Sequence, residues 1–250
     1  MDVIDATPQS PPLESDDPAV PGPGEFEINF TTDAEYAKTA QRVNLLSVDL
    51  NYGTRPIIFG YKLPTQIKFE FPITAGREAG QPVVVGPGAA TFGIKLKFYD
   101  DEHRGISVAI YPQVGFSSGE AMRKDLAPNG QTVILPLLVA REFHEFTFVF
   151  NSAIEKPVHD PERQAAAELG LAFGRAFTRK VAAMIELRTE SSLSFKTDRL
   201  LFVNAGLVHG VRRIVWYANV GHSLFADDGF SHLYAGAGIK TQIETKKKQG

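Results

Sequence analysis

The sequence of 250 residues lacks cysteine altogether, and it has no long hydrophobic run. Without cysteine, the chain can form neither a disulfide bond nor a thiolate metal site. The longest apolar stretch, residues 133–140, is far shorter than the roughly 18 residues that a membrane-spanning helix requires. These absences exclude a disulfide scaffold and a helical membrane protein.

An excess of positive charge is also missing. The chain carries 26 Lys and Arg against 29 Asp and Glu, for a net charge of −3. No basic cluster falls on a recognisable motif, so we expect no nucleic-acid partner. The one run of like charge, Lys246–Lys247–Lys248, predicts a solvated basic tail over residues 246–250.

The first 24 residues are acidic and rich in proline, and they show no secretory signal pattern. Prolines break regular elements, and so polar a segment cannot build a core of its own. We therefore predict a disordered leader over residues 1–24, followed by one folded domain over residues 25–245.

Beyond Gly24, apolar and polar residues alternate almost to the C terminus. The stretch FGIKLKFYDDEHRGISVAIYPQVGF, residues 92–116, is the clearest case, with a single break at 100–105 that indicates a hairpin. Period two is typical of β-strands. Twelve segments carry this pattern: 25–32, 43–53, 65–73, 90–99, 105–116, 131–141, 145–151, 166–175, 180–189, 200–208, 213–221 and 231–244.

The length and spacing of these segments indicate a transmembrane barrel. Most approach the 9–11 residues of a tilted membrane-crossing strand, whereas soluble strands average about 5–6. Long and short connections alternate, as in barrels with loops at one end and tight turns at the other. We predict an all-β, antiparallel up-and-down barrel of about 12 strands. An extra apolar segment at residues 54–64 interrupts the alternation of connections.

Residues 162–190 also fit a helix pair, because they are rich in helix-forming residues. Gly170 and Gly174, however, would each cost about 1 kcal/mol inside a helix. Leu169, Leu171 and Phe173 alternate with polar or small residues. We therefore predict strands here too.

The two faces of the predicted strands differ in a way that indicates which one meets lipid. The polar face is mostly small and neutral, which suits the crowded inside of a closed barrel. The apolar face is continuous over all strands and needs lipid or another protein layer to cover it. Since no residues remain for another layer, we predict that the apolar face contacts a lipid bilayer. A soluble β-sandwich, which would need no detergent, is the alternative.

Several of these segments, including VDLNYG, IKFEFP, GQTVILPLLVAREF and above all residues 92–116, resemble a family of bacterial outer-membrane barrels. Its members are classed as transporters or under the name meta-pathway of phenol degradation. The resemblance spans roughly residues 25–245. It implies an outer-membrane location and a transport role, and it carries over no catalytic residue. The missing signal peptide suggests a mature form. The ending TKKKQG, in place of the usual terminal aromatic residue, suggests inefficient insertion or an altered C terminus.

Polar residues with inward parity are the predicted lining of the lumen. Acids and bases are balanced among them, which favours a salt-bridge network that includes Glu168, Glu186 and Arg188. The predicted lining residues are Glu27, Asp49, Lys68, Glu70, Lys95, Lys97, Tyr111, Gln113, Glu168, Glu186, Arg188, Asn204, Tyr217, Asn219 and Lys240.

The sequence thus predicts a channel or transporter for small molecules, including hydrophobic ones, with no cofactor, no metal and no catalytic residue. The alternative is a barrel with a plugged lumen in a structural or phospholipase-like role. Only the neighbouring pairs His222–Ser223 and Ser231–His232 offer serine–histidine chemistry. His159–Asp160 provides too few ligands for a metal site.

Overall fold

The computed structural model describes residues 13–160, 163–228 and 230–244. The strands and the one short helix are, in chain order, β1 (Glu25–Tyr36), β2 (Ala40–Thr54), β3 (Ile57–Ile58), β4 (Tyr61–Lys62), β5 (Thr65–Glu78), β6 (Val84–Pro87), β7 (Ala90–Asp101), β8 (Ile106–Ile110), β9 (Gln113–Phe116), α1 (Gly119–Arg123), β10 (Gln131–Phe143), β11 (Phe146–Val158), β12 (Ala166–Thr178), β13 (Val181–Ser192), β14 (Leu200–Val211), β15 (Ile214–Ala226) and β16 (Leu233–Glu244). Among these residues, no helix is long and apolar enough to cross a membrane.

The sheet closes on itself as an antiparallel barrel of twelve strands. Neighbours in sequence pair with each other from β10 to β16, and β1 pairs with both β2 and β16. Closure is completed where β5 pairs with β2 on one side and β7 on the other. The predicted fold class is therefore confirmed.

Two of the twelve barrel strands are interrupted. The segment predicted as one strand, 105–116, divides into β8 and β9 at Tyr111 and Pro112, and both parts pair with β10. Pro112 has no N–H to donate to the ladder, which accounts for the break. Likewise β6 and β7 pair with successive parts of β5 on either side of Gly88, where a Cβ would lie 2.5 Å from the Thr74 hydroxyl oxygen.

All twelve predicted strands are present, including β12 where a helix was the alternative. Several run further than predicted at the loop end. β1 continues to Tyr36 and β2 begins at Ala40, so the predicted ten-residue loop 33–42 shortens to residues 37–39. The extension places more side chains inside the barrel than the sequence analysis counted.

Apolar side chains cover the outside of the barrel. Leu135, Leu171 and Trp216 are 54%, 59% and 55% exposed, and their neighbours along each strand on the opposite parity are largely buried. A band of this kind fits the hydrocarbon of a bilayer, as the sequence predicted.

The extra segment 54–64 forms a small separate hairpin, β3–β4, at the turn end. Its tip, Phe59 and Gly60, has φ of 50° and 86°, and the Phe59 side chain is 95% exposed. The hairpin lengthens one turn without entering the lumen wall.

Candidate functional site in the barrel lumen

Part of the N-terminal segment lies inside the barrel, where the sequence analysis predicted a disordered leader. Leu13, Ser15 and Asp17 are each 2% exposed, and Pro18 is also buried. The segment reaches the barrel wall at Gly53, whose carbonyl accepts from the Gly24 N–H at 2.8 Å. Residues 1–12 of the predicted leader and the whole predicted basic tail, residues 246–250, lie outside the described residues.

Glu186 anchors the backbone of this lumen segment, residues 13–24. Its carboxylate accepts the Ser15 N–H at 2.5 Å and the Glu14 N–H at 3.2 Å, and its side chain is almost fully buried. Hydrogen bonds to a charged acceptor are among the stronger ones in proteins. Gly170 leaves room here, since a Cβ at that position would lie 2.4 Å from the Ser15 hydroxyl oxygen.

Lys95 holds the segment from the opposite part of the wall. Its ammonium pairs with Asp16 Oδ1 at 2.9 Å and donates to the carbonyl oxygens of Asp17 at 2.8 Å and Ala19 at 3.3 Å. The same ammonium lies 4.8 Å from the centre of the Tyr111 ring. This set of partners compensates for the burial of a lysine that is 2% exposed.

An apolar patch of the lumen receives Leu13. The patch consists of small and medium side chains from β10 to β15, together with the Tyr217 ring. The members that pack with Leu13 are Ala140, Val149, Ala172, Ala182, Met184, Val208 and Tyr217. Since the polar backbone and the one large apolar side chain of the segment both find partners, the barrel interior supplies the core that the segment lacks by itself.

A second ion-pair group lies on β2 and β5. Lys68 Nζ is 3.0 Å from Glu70 and 3.7 Å from Asp49, and all three side chains point inward. Asn29 donates to Asp49 at 3.0 Å, and Ser47 donates to Glu70 at 2.9 Å. The group is thus held rigidly on the wall.

A third group lies on β12 and β13, and it differs from the predicted network. Arg188 pairs with Glu168 at 3.6 Å and with Glu190 at 3.1 Å. Glu186 does not join it, because Glu168 lies opposite Glu190 in the register and Glu186 lies opposite Ala172. The predicted proximity of Glu168 to Glu186 is therefore wrong.

Several of the other predicted lining residues have polar partners inside or at the ends of the barrel, whereas neither side-chain polar atom of Asn204 has a hydrogen-bond partner among the described atoms. Lys240 pairs with Glu27 at 3.6 Å, and Tyr217 shares a hydrogen bond of 2.8 Å with Thr31. Lys97 pairs with Asp100 close to the β7–β8 turn.

Asn204 is buried opposite Glu186 on β13, Asn219 faces Gly236 on β16, and Gln113 lines the main cavity.

That main cavity has a volume of about 390 Å³ and lies between the lumen segment and the wall. Several of its lining groups were missed by the sequence analysis. Asp33 and Glu35 lie beyond the predicted end of the first strand, at 32, and Glu14 and Asp16 belong to the predicted leader. Counting period-two alternation through to Tyr36 would have found the first two.

One serine–histidine pair does form, at the loop end. Ser223 Oγ lies 3.1 Å from His232 Nδ1, while Ser231 donates to Glu35 at 3.2 Å. Within the described ranges, no carboxylate or amide is hydrogen-bonded to the His232 ring, and no group of three or more His, Cys, Asp or Glu side chains could hold a metal ion.

No family model and no curated protein matches the sequence. Solved structures do share its fold. The COG4313 outer membrane channel from Pseudomonas putida F1 aligns over 90% of this chain and 97% of its own, with a TM-score of 0.68 and 12% identity. The NanC porin aligns over 86% and 100%, with a TM-score of 0.59 and 8% identity. The KdgM porin aligns over 87% and 99%, with a TM-score of 0.55 and 8% identity.

At such low identity these neighbours show the fold. The chain has the closed β-barrel fold of outer-membrane channels and porins, in agreement with the location predicted from the sequence. The phenol-degradation name carried by the sequence resemblance finds no support among them.

Proposed function

We propose that the protein is an outer-membrane channel for small solutes, whose lumen is narrowed by its own N-terminal segment. The observation that carries this proposal is the cavity of about 390 Å³ beside the segment, lined by charged and polar side chains within a closed barrel. A barrel with only a structural role would gain nothing from ionised groups in its interior, because each one costs free energy to remove from water.

The lumen segment makes the channel narrow. It is held by Glu186 on one side and Lys95 on the other, and it places Leu13 across an apolar patch of the wall. Small solutes would pass beside the lumen segment, or through the space that opens when the segment shifts. They include hydrophobic solutes, which the apolar patch could accept. The fully plugged barrel is the competing proposal, and these same anchors are what favour it.

A phospholipase-like activity is less well supported. The Ser223–His232 hydrogen bond supplies two members of a triad, but a nucleophile needs a base that is itself oriented by a third group. The described residues provide no such group at the His232 ring.

Recording the purified protein in a planar bilayer tests the proposal. We expect small, discrete current steps from the full chain and larger steps when Lys95→Gln removes one anchor of the lumen segment. Lys97→Gln is the matched control, since Lys97 pairs with Asp100 near a turn. A complete absence of steps in all three proteins would favour the plugged barrel.

A further inference from the structure

The main cavity carries an excess of negative charge. Seven carboxylates line it against only two cationic side chains, Lys68 and Arg188. Asp33 and Glu35 belong to the last residues of β1, so the excess extends to the loop end of the lumen. We call this cavity of about 390 Å³ the loop-side vestibule.

The two cationic side chains are already fully engaged. Lys68 lies within ion-pair distance of Asp49 and Glu70, and Arg188 within that distance of Glu168 and Glu190. Each cation is thus already paired with two carboxylates and does not neutralise the other acidic side chains of the vestibule.

Three carboxylates in the vestibule, Glu14, Asp33 and Glu35, form no ion pair with any described residue. Asp33 accepts from the Asn44 amide at 3.0 and 3.2 Å, and Glu35 accepts from Ser231. Each of these two carboxylates is therefore oriented by a neutral donor and not by a cation.

Two buried oxygens beside the same cavity lack a hydrogen-bond partner. Ser15 is 2% exposed and Asp49 is 4% exposed, and both line the vestibule. Ser15 Oγ and Asp49 Oδ1 have no hydrogen-bond partner among the described atoms. An unpartnered buried carboxylate oxygen costs free energy, which a ligand N–H group that reached Asp49 Oδ1 would recover.

We infer that the loop-side vestibule binds the positively charged group of a small organic amine. Its carboxylates are spread along the wall, and no three acidic or histidine side chains among the described residues converge as a metal site would require. A diffuse negative potential in a cavity of this volume suits an ammonium group on a carbon skeleton better than a compact metal ion. This inference rests on the proposed function and adds the charge class of its solute.

A cysteine placed in the vestibule tests this inference directly, because the chain has no other cysteine. Ala153 lines the cavity and is close to cysteine in size, so Ala153→Cys should disturb it little. The thiol is modified with uncharged methyl methanethiosulfonate in the presence of benzylammonium, benzyl alcohol or benzoate. These probes share one ring and differ in the group attached to it and in charge.

We expect benzylammonium to protect the thiol at a concentration about tenfold lower than benzoate, with benzyl alcohol between them. Adding Asp33→Asn and Glu35→Gln should remove the advantage of benzylammonium, so that it and benzoate protect the thiol at similar concentrations. The matched control adds Glu102→Gln and Glu145→Gln, which neutralise two turn residues outside the lumen and should leave the advantage intact. If the double vestibule variant does not fold, Glu35→Gln alone should reduce the advantage by about half on a logarithmic scale.

Equal protection by benzylammonium and benzoate, or a thiol that reacts with nothing, would overturn the inference. So would an advantage that survives neutralisation of Asp33 and Glu35. Bilayer recording of the same proteins separates the two proposals. Charge-selective protection without conductance would reject the channel and keep the site, whereas conductance without selective protection would do the reverse.

Discussion

The backbone N–H of Ser15 donates to Glu186 Oε1 at 2.5 Å, joining two residues that lie 171 positions apart in sequence. This bond fixes the N-terminal segment to β13 deep inside the barrel. Glu186 was predicted to belong to a salt bridge within the wall, and it serves instead as the acceptor that positions a separate stretch of chain.

Replacing Glu186 with Ala should therefore loosen the lumen segment. Hydrogen exchange at the Ser15 and Glu14 amides is expected to accelerate by about tenfold or more, since a hydrogen bond to a charged group contributes roughly 1.5–3 kcal/mol. Glu190→Gln is the control, because Glu190 pairs with Arg188 and does not touch the segment. Unchanged exchange at both amides in Glu186→Ala would mean that other contacts hold the segment.

The assignment of the inward and outward faces can be tested by placing an arginine on each face. Leu135 lies in the middle of β10 and is 54% exposed on the apolar side, whereas Gln113 lines the cavity. Leu135→Arg should destabilise the inserted barrel by roughly 2–4 kcal/mol, and Gln113→Arg by less, because water reaches the lumen. Refolding yields into liposomes measure both. A lower yield for Gln113→Arg would show that the two faces are assigned the wrong way round.

Removing Arg188 is expected to destabilise the protein mainly because it leaves two carboxylates without a cationic partner. Arg188→Gln leaves Glu168 and Glu190 facing each other across β12 and β13 with no cation between them. The double variant Arg188→Gln with Glu190→Gln should be milder than Arg188→Gln alone, since it leaves no uncompensated pair. Thermal unfolding of the single and double variants checks this. Strictly additive changes would indicate that the side chains do not interact.

A loop-end contact should depend on pH. The side-chain and backbone N–H groups of Arg199 donate to Asp227 and hold the pKa of that carboxyl below its usual range. A lowered pKa in the folded state means that the contact is complete at neutral pH and is lost as the pH falls through that lowered value. Carboxyl NMR titration should show the Asp227 midpoint rising towards its ordinary value in Arg199→Gln. A midpoint that does not move would show that the Arg199 side chain is not the cause.

Strand positions and faces could be predicted from the sequence because each depends on local period-two alternation. The register between β12 and β13 could not. The predicted turn was the stretch AFTR, but pairing continues to Thr178 opposite Val181, with a bulge after Ala176. Because the turn lies at Arg179 and Lys180, further along the chain than predicted, every partner along the two strands is shifted and Glu168 lies opposite Glu190.

The lumen segment escaped prediction for a different reason. A proline-rich acidic stretch has no periodicity of its own, and its order depends on Lys95, Glu186 and the patch around Leu13, all distant in sequence. The same stretch would be disordered outside the barrel. Its acids, together with Asp33 and Glu35, turn the charge balance predicted for the lumen into an excess of negative charge.

An engineered disulfide, which can be reduced again, tests whether the lumen segment controls passage through the lumen. A Cβ added at Gly170 would lie 3.7 Å from the Ser15 Cβ, a separation suited to a disulfide, and the chain has no other cysteine to interfere. Single-channel current of Ser15→Cys with Gly170→Cys is recorded before and after reduction in the Lys95→Gln background, where the reduced segment has lost one anchor. Each single cysteine variant in the same background is the control. The expected result is a smaller conductance when oxidised and an increase on reduction that neither control shows. Equal conductance in the two redox states, with the disulfide confirmed by mass, would contradict a role for the segment in narrowing the channel.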